Sequence, residues 1–152
     1  MEIELDIEEF EDLTEEENNS LRFYYGNPIN LMVKENGKNI IELNSTFHDA
    51  FLIEILSILA DFKEKKKGKR QLESYDNAQT YFLEKENDEI VITNFDDYEE
   101  KLDWRKSVGY LEFTNAFVKE IYNYLDKLVT RYPGAISSDS YLLMKKFLYK
   151  IV

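Results

Sequence analysis

Carboxylates are the most abundant chemistry-bearing groups in this sequence, and they fall mainly in two blocks. Residues 1–21 contain Glu2, Glu4, Asp6, Glu8, Glu9, Glu11, Asp12, Glu15, Glu16 and Glu17 with no Lys or Arg among them. Residues 84–103 repeat the bias, with Asp96, Asp97, Glu99, Glu100 and Asp103 following a mixed stretch. Two acids opposed across a cleft, one with a raised pKa, could hydrolyse a glycosidic bond. Oxygen ligands alone could hold calcium. Neither pattern is specific here. Asp96-Asp97 with Glu99-Glu100 lacks the spacing and central glycine of an EF-hand loop, and acids within a charged run are usually solvated and ionised.

His48 is the single histidine and titrates near neutrality without help. Ser45, Thr46 and Asp49 stand close by, but a catalytic histidine also needs an aligned nucleophile and an oxyanion site. Ser45 and Thr46 read more simply as helix caps, and His48 as a partly exposed residue bonded locally. The absence of cysteine removes disulfides, thiol catalysis and thiolate metal centres. Neither GxxxxGK[ST] nor GxGxxG occurs. The basic run Lys63–Arg70 could meet phosphate, but a solvated helix terminus explains it with less. A net charge of −12 also opposes nucleic acid as a partner. The expectation is a protein with no catalytic residues, no metal, no cofactor and no nucleic-acid partner.

Positioning these residues falls to elements read from periodicity. Ile3, Leu5 and Ile7 alternate with acids and predict a strand with a charged outer face. Glu11–Ser20 shows no period and reads as a loop, and Leu21–Tyr25 as a strand. Ile29–Glu35 and Lys38–Leu43 flank Asn36-Gly37, a type I′ hairpin signal. A helix is expected from Ser45-Thr46 with Thr46 and Asp49 as a capping box. Its body, Phe47–Phe62, is apolar on most sides except for the stripe Glu54, Ser57, Asp61, so it should be central and buried. Gly68 in the basic run is expected to terminate it. Tyr81–Leu83 and Glu89–Thr93 predict a second hairpin, and Val108–Phe113 a further strand. Thr114 or Asn115 should cap a long helix whose inner face is Phe117, Val118, Ile121, Tyr124, Leu125, Leu128 and Val129. Ser138 or Asp139 should start a short last helix on Tyr141, Met144, Phe147 and Leu148. Strands grouped before and after a central helix indicate an α+β fold, an antiparallel sheet of hairpins packed on that helix, with one long and one short C-terminal helix.

At 152 residues, 43% apolar and 14% aromatic, the chain suits one domain, 1–152, with a true core. The start MEIELDIEEF has neither the basic nor the apolar part of a secretion signal. Ala50–Phe62 is too short to span a bilayer. A cytoplasmic protein without a membrane partner is therefore expected. Tyr24, Tyr25, Tyr98, Trp104 and Tyr110 lie near acidic or turn segments, where half-exposed aromatics serve as protein contacts.

Five segments in this order, MEIELDIEEF, LMVKENGKNIIEL, FHDAFLIEILSILADF, TYFLEKENDEIVIT and FTNAFVKEIYNYLDKLV, give a layout with a resemblance to a known class. It resembles the small acidic immunity proteins of bacterial contact-dependent growth inhibition and polymorphic-toxin systems. The resemblance lies in architecture, and no site residue carries over with it. It implies a non-enzymatic cytoplasmic protein that binds a cognate toxin domain, often a basic nuclease, and blocks its active site. On charge alone, the expected partner-binding residues are Glu8, Glu9, Glu11, Asp12, Glu15, Glu16 and Glu17, with Asp96, Asp97, Glu99 and Glu100 as a second surface. The alternatives are a generic acidic interaction or adaptor domain and a small carboxylate-based enzyme.

Overall fold

The computed structural model describes residues 1–75 and 78–152. Strands β1 (Glu2–Ile7), β2 (Ile29–Glu35) and β3 (Lys38–Ser45) form an antiparallel sheet in that order. Strands β4 (Lys67–Glu73), β5 (Gln79–Glu86), β6 (Glu89–Asp96) and β7 (Lys101–Gly109) form a second sheet, a four-stranded meander. Short helices α1 (Glu15–Asn18) and α2 (Leu21–Tyr25) lie between β1 and β2. Helix α3 (His48–Phe62) joins the two sheets. Helix α4 (Tyr110–Arg131) follows β7, and a 3₁₀ turn leads into α5 (Asp139–Ile151). The fold is α+β, as the grouping of strands implied. The expected single sheet is two, because β3 runs into α3 and the chain starts a new sheet after it.

The core is one cluster that takes side chains from both sheets and from α3, α4 and α5. On α3, Phe51, Leu52, Ile55, Leu56, Ile58, Leu59 and Phe62 are fully buried, and the stripe Glu54, Ser57, Asp61 is half-buried. The first hairpin turns through Asn36 (φ 51°) and Gly37 (φ 77°), the two left-handed positions its sequence called for. On α4, Phe117, Ile121, Tyr124, Leu125 and Leu128 face inward, with Val118 and Val129 half-buried beside them. Ser138 caps α5, accepting a hydrogen bond from the Tyr141 amide.

Several expected boundaries move. Thr14 and Glu17 make a reciprocal capping box, so part of the expected loop is the helix α1. Leu21–Tyr25 is helical rather than extended: Ser20 Oγ accepts from the Phe23 amide, and Gly26 closes the turn. Ser45 ends β3 instead of opening a helix, and Thr46 Oγ1 donates to the Tyr75 carbonyl at 2.8 Å. The turn into α3 is made at Phe47, whose φ is 50°, with no side-chain cap. Asp49, the expected capping partner, accepts from Ser140 Oγ on α5 at 2.6 Å. The expected strand Val108–Phe113 divides at Gly109, which caps α4 in place of Thr114 or Asn115. Thr114 is buried within that helix.

The basic run is a helix terminus only at its start, where Lys63 is the C-cap of α3. Lys67–Arg70 belong to β4, where Lys69 pairs with Glu84 and Arg70 with Asp61. The last carbonyls of α3 are satisfied from elsewhere: buried Lys85 donates to Phe62 O at 2.8 Å, and Tyr110 Oη to Leu59 O at 2.9 Å. Gly68 serves packing. A Cβ there would stand 2.8 Å from the Phe62 ring, which is fully buried and cannot swing away. Gly68→Ala should therefore destabilise the protein by about 1–3 kcal/mol through overpacking, read as a lower midpoint in urea unfolding. An unchanged midpoint would mean that the ring and strand part without cost.

Candidate partner-binding surface

The first acidic block is a built structure. After β1, the Glu8 amide donates to Pro28 O at 2.9 Å, and the Phe10 amide to Asn27 Oδ1 at 3.1 Å. The capping box then folds α1. Arg131, at the end of α4, forms an ion pair with Glu9 and donates to Asn18 Oδ1 at 3.3 Å. Its guanidinium lies 5.1 Å from the ring centres of Tyr24 and Tyr132, and Tyr132 Oη donates to Asn18 O at 3.0 Å. Residues 8–20 are thus fastened at both ends, against the turn before β2 and against α4. Burial, reinforced by Glu9, pushes the Tyr24 phenol up to about 12.

Within this segment the acids divide by task. Glu9 holds Arg131, and Glu17 closes the α1 cap. Glu8, Glu11, Asp12, Glu15 and Glu16 are exposed. The charged outer face of β1 adds Glu2, Glu4 and Asp6, with Glu42 of β3 on the same side across Met32. Lys34 is the base beside them and pairs with Glu4.

The second block is the β6–β7 hairpin loop. Asp96 Oδ1 accepts from the Tyr98 and Glu99 amides, both at 3.0 Å, which fixes the turn. The Asp97 carboxylate accepts from Thr80 Oγ1 at 3.0 Å, and Glu99 pairs with Lys101. Glu100 is exposed in the left-handed region, φ 50°. Among the described residues, no hydrogen bond or ion pair joins the two blocks.

His48 departs from its expected place. It is fully buried, and its ring is bonded on both sides. Nδ1 lies 3.2 Å from Asn27 O, an acceptor only, so Nδ1 carries the proton. Nε2 then accepts from Tyr124 Oη at 2.8 Å. Tyr24 packs edge-on against the imidazole at 5.0 Å, with Tyr25 beyond at 6.0 Å. Burial lowers the His48 pKa to about 4 and raises that of Tyr124. This is a neutral imidazole that ties α3 to α4 and to the turn before β2.

Of the expected contact aromatics, Tyr98 is the most open at 87% exposed, Tyr24, Tyr25 and Trp104 are half-buried, and Tyr110 is buried. Sequence reasoning missed Phe10, Phe23 and Phe47, which are 46%, 43% and 48% exposed. Phe47 was hidden by its place at the head of an apolar helix, and Phe10 by reading its neighbours for charge alone. Asp49 and Glu54 line a groove of about 690 Å³ between α3 and α5, which Glu73 of β4 also borders. Burial raises the Asp49 and Glu54 carboxyls above their usual range.

Among the described residues, no cluster of three or more His, Asp or Glu is placed to hold a metal, and no helix is long and apolar enough to cross a membrane. Comparison with family models, with curated proteins and with solved structures finds no match to this chain.

Proposed function

We propose that this chain is a non-enzymatic inhibitor that binds a basic protein domain, in the manner of the cytoplasmic immunity proteins it resembles, and covers that domain's active site. The supporting observation is the fastening of residues 8–20. An acidic tail that serves solubility alone can fray, which relieves the repulsion among its charges. Here Glu8, Glu11, Asp12, Glu15 and Glu16 are held in one arrangement against that repulsion. A fixed anionic array steers a cationic partner and sets its orientation, which a frayed tail cannot do.

Co-expression with the domain encoded immediately upstream tests this reading, scored as rescued growth and a co-purifying complex. Neither rescue nor complex would defeat it. A carboxylate-based enzyme is the second reading, favoured by the raised carboxyls of Asp49 and Glu54 in their groove. It requires turnover that Glu54→Gln abolishes.

A further inference from the structure

Phe10, Phe23 and Phe47 come from three distant parts of the chain and converge, with Pro28, around a groove of about 710 Å³. Single exposed apolar residues are ordinary on a protein surface, whereas several meeting at one concavity mark a contact site. Phe47 adds a backbone argument. At φ 50° its position suits Gly or Asn, so an aromatic ring there is disfavoured locally and calls for another reason. Tyr75 supports that ring edge-on at 6.3 Å.

The concave surface continues past Phe47. It passes Asp49 and Asp139 and reaches Glu54 and Glu73, with Ile53 and Phe147 as apolar walls. Among the described residues, Arg22 is the one base that lines it. Asp49 and Glu54 are partly desolvated carboxyls, and a cation beside them would offset the cost of that burial. A second copy of this chain would bring another −12 against these acids. A neutral apolar ligand would bury them without a counter-charge.

We propose that the groove receives an extended segment of the partner protein, its apolar or aromatic side chain among Phe10, Phe23 and Phe47 and its Lys or Arg against Asp49 and Glu54. This rests on the reading of the chain as a binder of a basic protein, and gives that reading a place and a sequence chemistry. An aromatic centre with charged groups beside it fits the anatomy of an interface hot spot with a polar rim.

The test pans a random peptide display library on the full-length chain, then titrates the enriched peptides into variants. Peptides combining an apolar residue with Lys or Arg are expected. Phe10→Ser with Phe23→Ser should weaken them at least about tenfold. Phe47→Asn should weaken them while leaving the melting temperature unchanged or higher, a combination that a structural role for the ring would not give. Asp49→Asn with Glu54→Gln should weaken the basic peptide more than its Lys-to-Gln counterpart. Basic peptides insensitive to all these changes but lost on reversing Glu11, Asp12, Glu15 and Glu16 would overturn the groove and leave the wider reading standing. Acidic peptides, or no enrichment, would overturn the groove, while the wider reading stands or falls on the co-expression test. Dimerisation abolished by Phe23→Ser in sedimentation would assign the groove to a second copy and overturn the inference.

Discussion

Reversing the charge at Glu11, Asp12, Glu15 and Glu16 together is expected to slow association with the proposed basic partner about ten- to a hundredfold at low ionic strength. The effect should shrink as salt is added, because exposed charges farther apart than about 10 Å are screened at ~0.1 M. The choice of residues matters. Glu17 would be a misleading member of the set, since its carboxylate accepts from the Thr14 amide and its loss unravels α1. Glu9 would release Arg131 from the segment. The four chosen acids are exposed, and none of them caps a helix or forms an ion pair among the described residues. Folding stability should change little: relief among crowded like charges is set against a longer side chain on the left-handed backbone at residue 12 (φ 55°) and the loss of first-turn acids from α1. Association measured by stopped-flow at several salt concentrations, with urea unfolding alongside, checks both halves. An unchanged rate in a folded variant would show that this array does not steer the partner.

Acidification from neutral pH to about 4 is expected to remove about 3 kcal/mol of stability through His48 alone. The sign follows from the two states. In the unfolded chain His48 titrates near 6.5, and in the folded protein burial lowers it to about 4. Between those values the unfolded state binds the proton and the folded state does not, so stability falls as pH falls. Above 6.5 both states are neutral and the contribution is flat. Two influences run the other way. Asp49 and Glu54 have raised carboxyls, which favour the folded state on acidification, and the repulsion of a −12 chain fades toward its pI of 4.6. The His48 contribution is therefore isolated against His48→Gln, which keeps an amide able to meet Asn27 O and Tyr124 Oη but cannot titrate. The wild-type stability minus that of the variant, from urea unfolding across pH 4–8, should be level above 6.5 and decline below it. A level difference throughout, or an NMR titration of His48 near 6.5, would contradict the buried neutral imidazole.

Much of the fold was legible where local chemistry and tertiary packing agree. Asn36-Gly37 demanded left-handed backbone and supplied the residues that tolerate it. The apolar circumference of Phe51–Phe62 could only be a buried helix. The failures arose where packing decided between local options. Leu21–Tyr25 is apolar and aromatic enough for a strand, but Ser20 and Gly26 cap it as a helix. The Thr14–Glu17 capping box was present in the sequence, and the density of acids around it masked the signal. Lys85 illustrates a limit of another kind. Its alternation places it inward on β5, but only the fold brings it to the carbonyl end of α3. The candidate site was half-readable. Charge marked Glu8 to Glu17, whereas the convergence of Phe10, Phe23 and Phe47 joins residues far apart in sequence and has no local signature.

The central claim is that outward carboxylates fixed on this surface dock it onto a cationic protein. Its most direct test is the association rate constant with the domain encoded immediately upstream, measured from low to high salt. The account predicts a rate that falls steeply with ionic strength, and a shallower fall once Glu11, Asp12, Glu15 and Glu16 are reversed. A rate indifferent to salt, or no complex at all, would contradict it.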